Sequence, residues 1–332
     1  MIQRSRLYRR LVLATVTVAV AVGVAATVST VAARSARREA IDRPVILFLH
    51  GRGQLGRDTA HIRTEWLRSL ETGVGKLTRH PLFDSSDVRL VWYADALDPA
   101  SSVRCDSDIR SRSQSSGEEE GEVLQLLLGV TSALFTSLYE SMPEDSRYPM
   151  RALIGDVMYL GDRWRRCAVE RRIESALMHA AGEKRPVILV AHSFGSLVAY
   201  SYLRADRSRM GKVTPPSIHR YVTLGSMLGI PELQELVLGR AGTISLPAGV
   251  RSWVNVRHAR DPFAAPLVDT TDSRPGSARI REVVTSANAV DPHDIVTYLR
   301  DPAAARAIAW AWCDAGGKGF AHGCDDIHTD IP

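Results

Sequence analysis

The sequence predicts an α/β fold, a doubly wound and mostly parallel sheet with its helices packed on both faces. Two observations carry that expectation. Strand-like runs alternate with helical patterns along most of the chain, and the first of them, Val45–Leu49, is apolar at every position, as suits a strand covered on both faces. Size is a third: with 332 residues, the chain should bury roughly three quarters of its unfolded surface, so it needs neither metal nor disulfide to hold a core.

The elements follow in order. Val45–Leu49 is the first strand. After a Gly-rich turn, Asp58 can cap a helix whose Ile62, Trp66, Leu67 and Leu70 share one face. Val88–Tyr93 is the second strand and Val187–Ala191 the third, followed at once by a helix through Leu203. His219–Leu224, Trp253–His258 and Arg281–Thr285 are the remaining strands, and helices over 293–300 and 302–313 close the domain.

One connection is far too long for a simple crossover: 93 residues separate Tyr93 from Val187. It opens with a polar segment, Ser101–Gly121, that reads as a loop. A helix over Glu122–Tyr139 follows, with Leu124, Leu127, Leu128, Leu134 and Leu138 on one face, and then helices over about 150–160 and 164–181. The segment 94–186 is therefore expected to be a helical insertion, a lid or cap over the C-terminal ends of the strands, the alternative being that its leucine-bearing helix is an ordinary core element on the sheet flank.

The ends of the chain differ from its body. Arg4, Arg6, Arg9 and Arg10 precede an uncharged stretch of 23 residues, Leu11–Ala33, and Arg34, Arg37 and Arg38 follow it. That stretch is long enough to cross a bilayer as a helix. Residues 1–43 thus read as a basic segment with a transmembrane anchor, or as a signal cleaved after Ala33. The heavier positive charge before the stretch puts the domain, residues 44–332, outside the cytoplasm. Residues 1–43 also carry a net charge of +6, which leaves the body at −1. The body has neither a basic stripe nor a nucleic-acid motif, so nucleic-acid binding is excluded.

Four cysteines fit an exported domain. Cys313 and Cys324 lie in a Gly-rich tail, 313–332, where a disulfide closes easily, and Cys105 and Cys167 can form a second bridge. A rival grouping of Cys313, His322, Cys324 and His328 as a zinc site matches no common ligand spacing.

The chemistry sits after the third strand. Val190–Gly195 places Ser193 between a buried strand and a helix, with small residues, Ala191 and Gly195, two positions to either side. That is the pattern of a nucleophile elbow, a strained turn that lifts a hydroxyl above the sheet. A serine hydroxyl needs a base and an orienting acid. In chain order Ser, acid, His, the partners fall at Asp261 after the fifth strand and His293 after the sixth. Asp269 and Asp272 compete for the role of acid on the same loop, while His258 lies within a strand. An oxyanion hole is expected from the backbone N–H groups of Arg52, in the His50–Gly53 turn, and of Phe194. No Lys-Ser/Thr follows that Gly-rich turn, which removes a phosphate-binding loop.

These residues resemble the α/β-hydrolase superfamily, and within it the bacterial serine esterases and lipases. The resemblance rests on His50–Gly53, Ala191–Tyr200, Tyr221–Ser226, Trp253–Val256 with Asp261–Phe263, and Asp291–Asp294. It implies hydrolysis of acyl esters, or of lipid-like substrates, with Ser193 as nucleophile, His293 as base, Asp261 as its partner, and no cofactor or metal. Thioesterases, peptidases and acyltransferases share every one of these motifs. In Thr223–Ser226 the pattern departs from the lipase-like members, since Met227 stands where Pro often follows, and the run receives no catalytic role.

Overall fold

A computed structural model describes residues 43–98, 101, 105, 159, 162–205, 217–238, 243–267, 280–286 and 288–327. Nearly all belong to one compact unit, Pro44–Pro332. The apolar stretch Leu11–Ala33, the leucine-bearing helix expected over 122–139, and most of that expected over 150–160 lie outside the described residues. Among the described residues, no helix is long and apolar enough to cross a membrane.

Six strands, β1 (Val45–Leu49), β2 (Val88–Val91), β3 (Val187–His192), β4 (Ile218–Leu224), β5 (Trp253–His258) and β6 (Ile280–Thr285), form one sheet in the order β2-β1-β3-β4-β5-β6. Every described pairing is parallel. The helices are α1 (Thr59–Val74), α2 (Ala94–Leu97), α3 (Arg163–Gly182), α4 (Phe194–Arg204), α5 (Pro231–Leu238), α6 (Ile295–Arg300) and α7 (Pro302–Asp314).

Alternate residues of β1 and β3 feed two cores, which is why these two central strands are apolar nearly throughout. Val45, Leu47 and Leu49 pack with Val169, Ile173 and Leu177 of α3 and with Leu197 and Val198 of α4. Ile46 and Phe48 face the other way, toward Ile62, Trp66 and Leu70 of α1 and Ile308 and Trp312 of α7. The strand order explains the division. The chain steps from β1 out to β2 and then back past β1 to β3, β4 and β5. Right-handed crossovers taken in opposite directions lay their helices on opposite faces. Hence α1 covers one face, α3 and α4 the other, and α7 returns over the α1 face against β3 to β6.

Local signals set the helix ends. Asp58 caps α1 as expected, accepting from the Ala60 N–H at 2.9 Å, and Asp162 caps α3 through Trp164 at 2.8 Å. Asp301 accepts from Ala303 and Ala304 and turns the chain between α6 and α7, where Pro302 needs no N–H partner. The helix expected over 164–181 is α3, the crossover helix between β2 and β3. Its buried Arg165 donates to the carbonyls of Ala96, Asp98 and Ser101, fastening the chain that leaves α2. Cys105 is bridged to Cys167 on α3, and Cys313 to Cys324, both as the sequence suggests.

Candidate active site

The strand order reverses direction at β1 and β3. Connections leaving their C-terminal ends diverge there, opening a crevice where ligands of such sheets bind. The elbow follows β3 and the His50–Gly53 turn follows β1, so both lie at that point.

Ser193 has φ 53° and ψ −127°, a left-handed conformation that costs a non-glycine residue free energy and persists only where its surroundings enforce it. They do so through hydrogen bonds. The Ser193 N–H donates to Leu224 O at 3.0 Å, and its carbonyl accepts from Ser196 Oγ at 2.6 Å. Ser226 Oγ in turn donates to Ser196 Oγ at 2.9 Å. The glycines are demanded by space: a carbon added at Gly195 would meet His50 O at 2.5 Å, and one at Gly51 would meet Ser193 Cβ at 2.9 Å. The β1 turn therefore presses directly against Ser193, with Arg52 as the next residue.

The three residues expected from sequence converge. Ser193 Oγ donates to His293 Nε2 at 2.8 Å, and His293 Nδ1–H donates to Asp261 Oδ2 at 2.8 Å and Oδ1 at 2.9 Å. Asp261 lies in the turn after β5, where its N–H donates to His258 O at 3.0 Å and its Oδ1 accepts from the Phe263 N–H at 2.9 Å. His293 follows β6, held by Asp291, whose Oδ1 accepts the His293 N–H at 3.0 Å. The next residue, Asp294, caps α6 through Thr297.

Burial works against ionisation of Asp261, but the donors on His293, Tyr298 and the Phe263 N–H outweigh it and hold the carboxyl below its ordinary value. It is a carboxylate throughout the neutral range, able to orient the imidazole and to stabilise its cation. The Phe263 ring, partly exposed, lies 4.7 Å from the His293 ring, with the Arg52 guanidinium 5.9 Å above it. Phe194 turns its ring into the core edge-on to Tyr159 at 5.6 Å, and its backbone opens α4 directly after Ser193.

Other nearby residues had no assigned role in the sequence. His192 Nε2–H donates to the His293 carbonyl at 2.8 Å, tying the loop that carries His293 to the end of β3. Burial, with the neighbouring His293, pushes the His192 pKa down to about 3, so it acts as a neutral donor. His50, lowered by burial to about 4, donates to Gly51 O at 2.8 Å and stacks on Tyr93, whose hydroxyl donates to the His50 carbonyl. Tyr298 touches Asp261 directly, its hydroxyl 2.7 Å from Oδ2.

The rival acids Asp269 and Asp272 lie outside the described residues, as does His328 of the rival zinc grouping. In the other part of that grouping, Cys313 and Cys324 are joined to each other, which removes both as thiolate ligands. His258 is buried in β5, with its Nδ1 accepting from the Arg260 N–H at 3.1 Å.

No protein-family model matches the chain, and no curated protein matches it. Among solved structures the chain is similar to a crystal structure of an uncharacterized protein from Pseudomonas aeruginosa, at 14% identity and a TM-score of 0.32. The match covers 85% of this chain and 47% of that one, so this chain spans less than half of that protein's length.

Proposed function

We propose that the protein is a serine hydrolase of the α/β-hydrolase type that cleaves carboxylic esters, esterase- or lipase-like, through an acyl-enzyme. The observation that carries this reading is the unbroken series from Ser193 Oγ through His293 to Asp261, each link 2.8 Å, built on a serine at φ 53°. Strain is maintained at that one position in a turn otherwise closed by hydrogen bonds, which fits a residue held for chemistry rather than for stability.

The steps follow from the geometry. Ser193 Oγ attacks the ester carbonyl while His293 Nε2 takes its proton, and Asp261 stabilises the imidazolium. The N–H groups of Arg52 and Phe194 receive the oxyanion. Collapse of the tetrahedral intermediate breaks the bond to the alcohol, which leaves with the proton from Nε2. Water, deprotonated by the same nitrogen, then attacks the acyl-enzyme and frees the acid and the Ser193 hydroxyl.

An acyl-ester or lipid-like substrate suits this reaction, and none of its steps calls for a cofactor. The two disulfides favour an oxidising compartment, in keeping with the export expected from residues 1–43, whether as a membrane anchor or a cleaved signal. The test is a panel of p-nitrophenyl esters of graded chain length, with thioester and peptide substrates beside it, and labelling by a fluorophosphonate. Ester turnover and a label on Ser193, both abolished in Ser193→Ala, are expected. Losing the nucleophile or the base of such a triad costs on the order of 10⁶ in kcat, so more than about a hundredth of the rate surviving in Ser193→Ala would remove this serine from the reaction. A preference for thioesters or peptides would keep the nucleophile and move the enzyme to another acyl-transfer class.

A further inference from the structure

The acid of the proposed triad does not stand alone at the end of its chain of hydrogen bonds. Tyr298, on α6, is 1% exposed, and its hydroxyl lies between two partners. It donates to Asp261 Oδ2 at 2.7 Å and accepts the His258 backbone N–H at 2.8 Å. The series therefore runs from the end of β5 through Tyr298, Asp261 and His293 to Ser193. The same short helix that begins just after the base also reaches back, five residues on, to hold the acid. Oδ2 receives both the Tyr298 hydroxyl and His293 Nδ1–H, so the phenol fixes the very oxygen that faces the imidazole at 2.8 Å.

We propose that Tyr298 is a positioning residue for the hydrolase reaction, which sets the orientation of the Asp261 carboxylate and through it the readiness of His293 to accept a proton. This rests on the serine-hydrolase reading above. The alternative is a buried tyrosine that merely satisfies two polar groups in the core.

Physical chemistry separates the two. A hydrogen bond donated to a charged acceptor is stronger than one between neutral groups. Here the donor is fixed from behind, since the His258 N–H on Tyr298 Oη directs the phenolic proton toward Asp261. Removing it leaves Asp261 its donors on His293 and the Phe263 N–H, and it removes one of the three hydrogen bonds that lower the Asp261 pKa. The sign follows: losing a lowering interaction raises the carboxyl pKa, so activity that needs the carboxylate fails at a higher pH on the acidic side. Among the described residues, other charged or titratable groups around the pair include His192 at the end of β3 and Arg257 and His258 on β5, and all remain in place.

The experiment compares Tyr298→Phe with the wild-type protein on the best ester of the panel, with active sites counted by fluorophosphonate labelling of Ser193. A fall in kcat of about tenfold, from the loss of a hydrogen bond to a charged group, is expected, with KM little changed and the acidic limb of kcat/KM moved to higher pH. Tyr298→Phe placed on Asp261→Asn should cost nothing further, because the residue through which it acts is already neutral. An unchanged kcat per labelled site with an unmoved acidic limb overturns the proposal, even if the variant melts earlier. So does a second, additive loss on the Asp261→Asn background. Failure of the wild-type protein to label at Ser193 instead overturns the hydrolase reading itself.

Discussion

The two ends of the sheet each bury a carboxylate against a nitrogen group 2.8 Å away. At the N-terminal ends of the strands, Asp87 meets Arg185 with side chains 0% and 7% exposed. At the C-terminal ends, Asp261 meets His293 with side chains 0% and 19% exposed. Distance and burial of the acid are the same, so neither decides what the pair does. The partner decides. Arg185 stays a cation at any working pH, and it also donates to Pro44 O at 2.8 Å and Ser86 O at 2.9 Å, binding together the segments that lead into β1, β2 and β3. It is a clamp with one state. His293 instead has a hydroxyl on its far nitrogen, so in the proposed reaction the same kind of acid orients a general base and stabilises its cation.

The widest separation between the two ends is expected from one substitution made at each. Asp261→Asn keeps the shape but favours the wrong tautomer of His293, and the corresponding change in a serine-protease triad costs about 10⁴ in kcat. The same loss is expected here, measured on the best p-nitrophenyl ester. Asp269→Asn and Asp272→Asn should leave the rate within a few-fold. If either cripples the enzyme while Asp261→Asn does not, the acid has been misassigned and the comparison between the two ends collapses.

Asp87→Asn should behave in the opposite way. The Arg185 guanidinium would keep its carbonyl acceptors but lose its counter-charge in a buried site, and breaking such a pair costs about 3–5 kcal/mol. The expected result is a lower urea midpoint with unchanged kcat per fluorophosphonate-labelled site. A rate loss on a properly counted active site would mean that the far end of the sheet shapes the catalytic end, which the fold does not suggest.

The sequence reveals the candidate site far better than it reveals what supports it. β1 and β3, buried on both faces, announce themselves as apolar runs, and five of the six strands start and stop within one residue of expectation. β2 stops at Val91 rather than Tyr93, because the chain turns there to stack Tyr93 on His50 and begin α2. The short α2 holds only four residues, too few to show a helical period, and α5 was missed beside a segment rich in turn residues. Ser193, Asp261 and His293 were legible because their chemistry needs a fixed order along the chain and a fixed place after each strand. Tyr298 and His192 were not. Each contributes one hydrogen bond to a residue 37 or 101 positions away, and no local pattern records such a partner. Tyr298 reads as one more apolar position of α6 beside Ile295 and Leu299, and only the placement of its hydroxyl distinguishes it. The run Thr223–Ser226, given no catalytic role, serves the elbow through Leu224 O and Ser226 Oγ.

A third pair at the same distance sharpens the comparison from the other side. Arg57 and Glu65 also lie 2.8 Å apart, at the start of α1, but their side chains are 38% and 36% exposed. Water solvates both charges well, so little is gained when they meet, and holding two long side chains in one geometry costs entropy. Arg57→Ala is therefore expected to shift stability by less than about 0.5 kcal/mol. Salt should erase even that, since exposed charges are screened where buried ones are not. The measurement is a pair of urea melts at low and high salt, run beside Asp87→Asn. The surface variant should converge on the wild-type midpoint as salt rises, while the Asp87→Asn deficit persists. If Arg57→Ala instead cost as much as Asp87→Asn at both salt concentrations, burial would not be what separates the pairs. The contrast drawn between the two ends of the sheet would then need another cause.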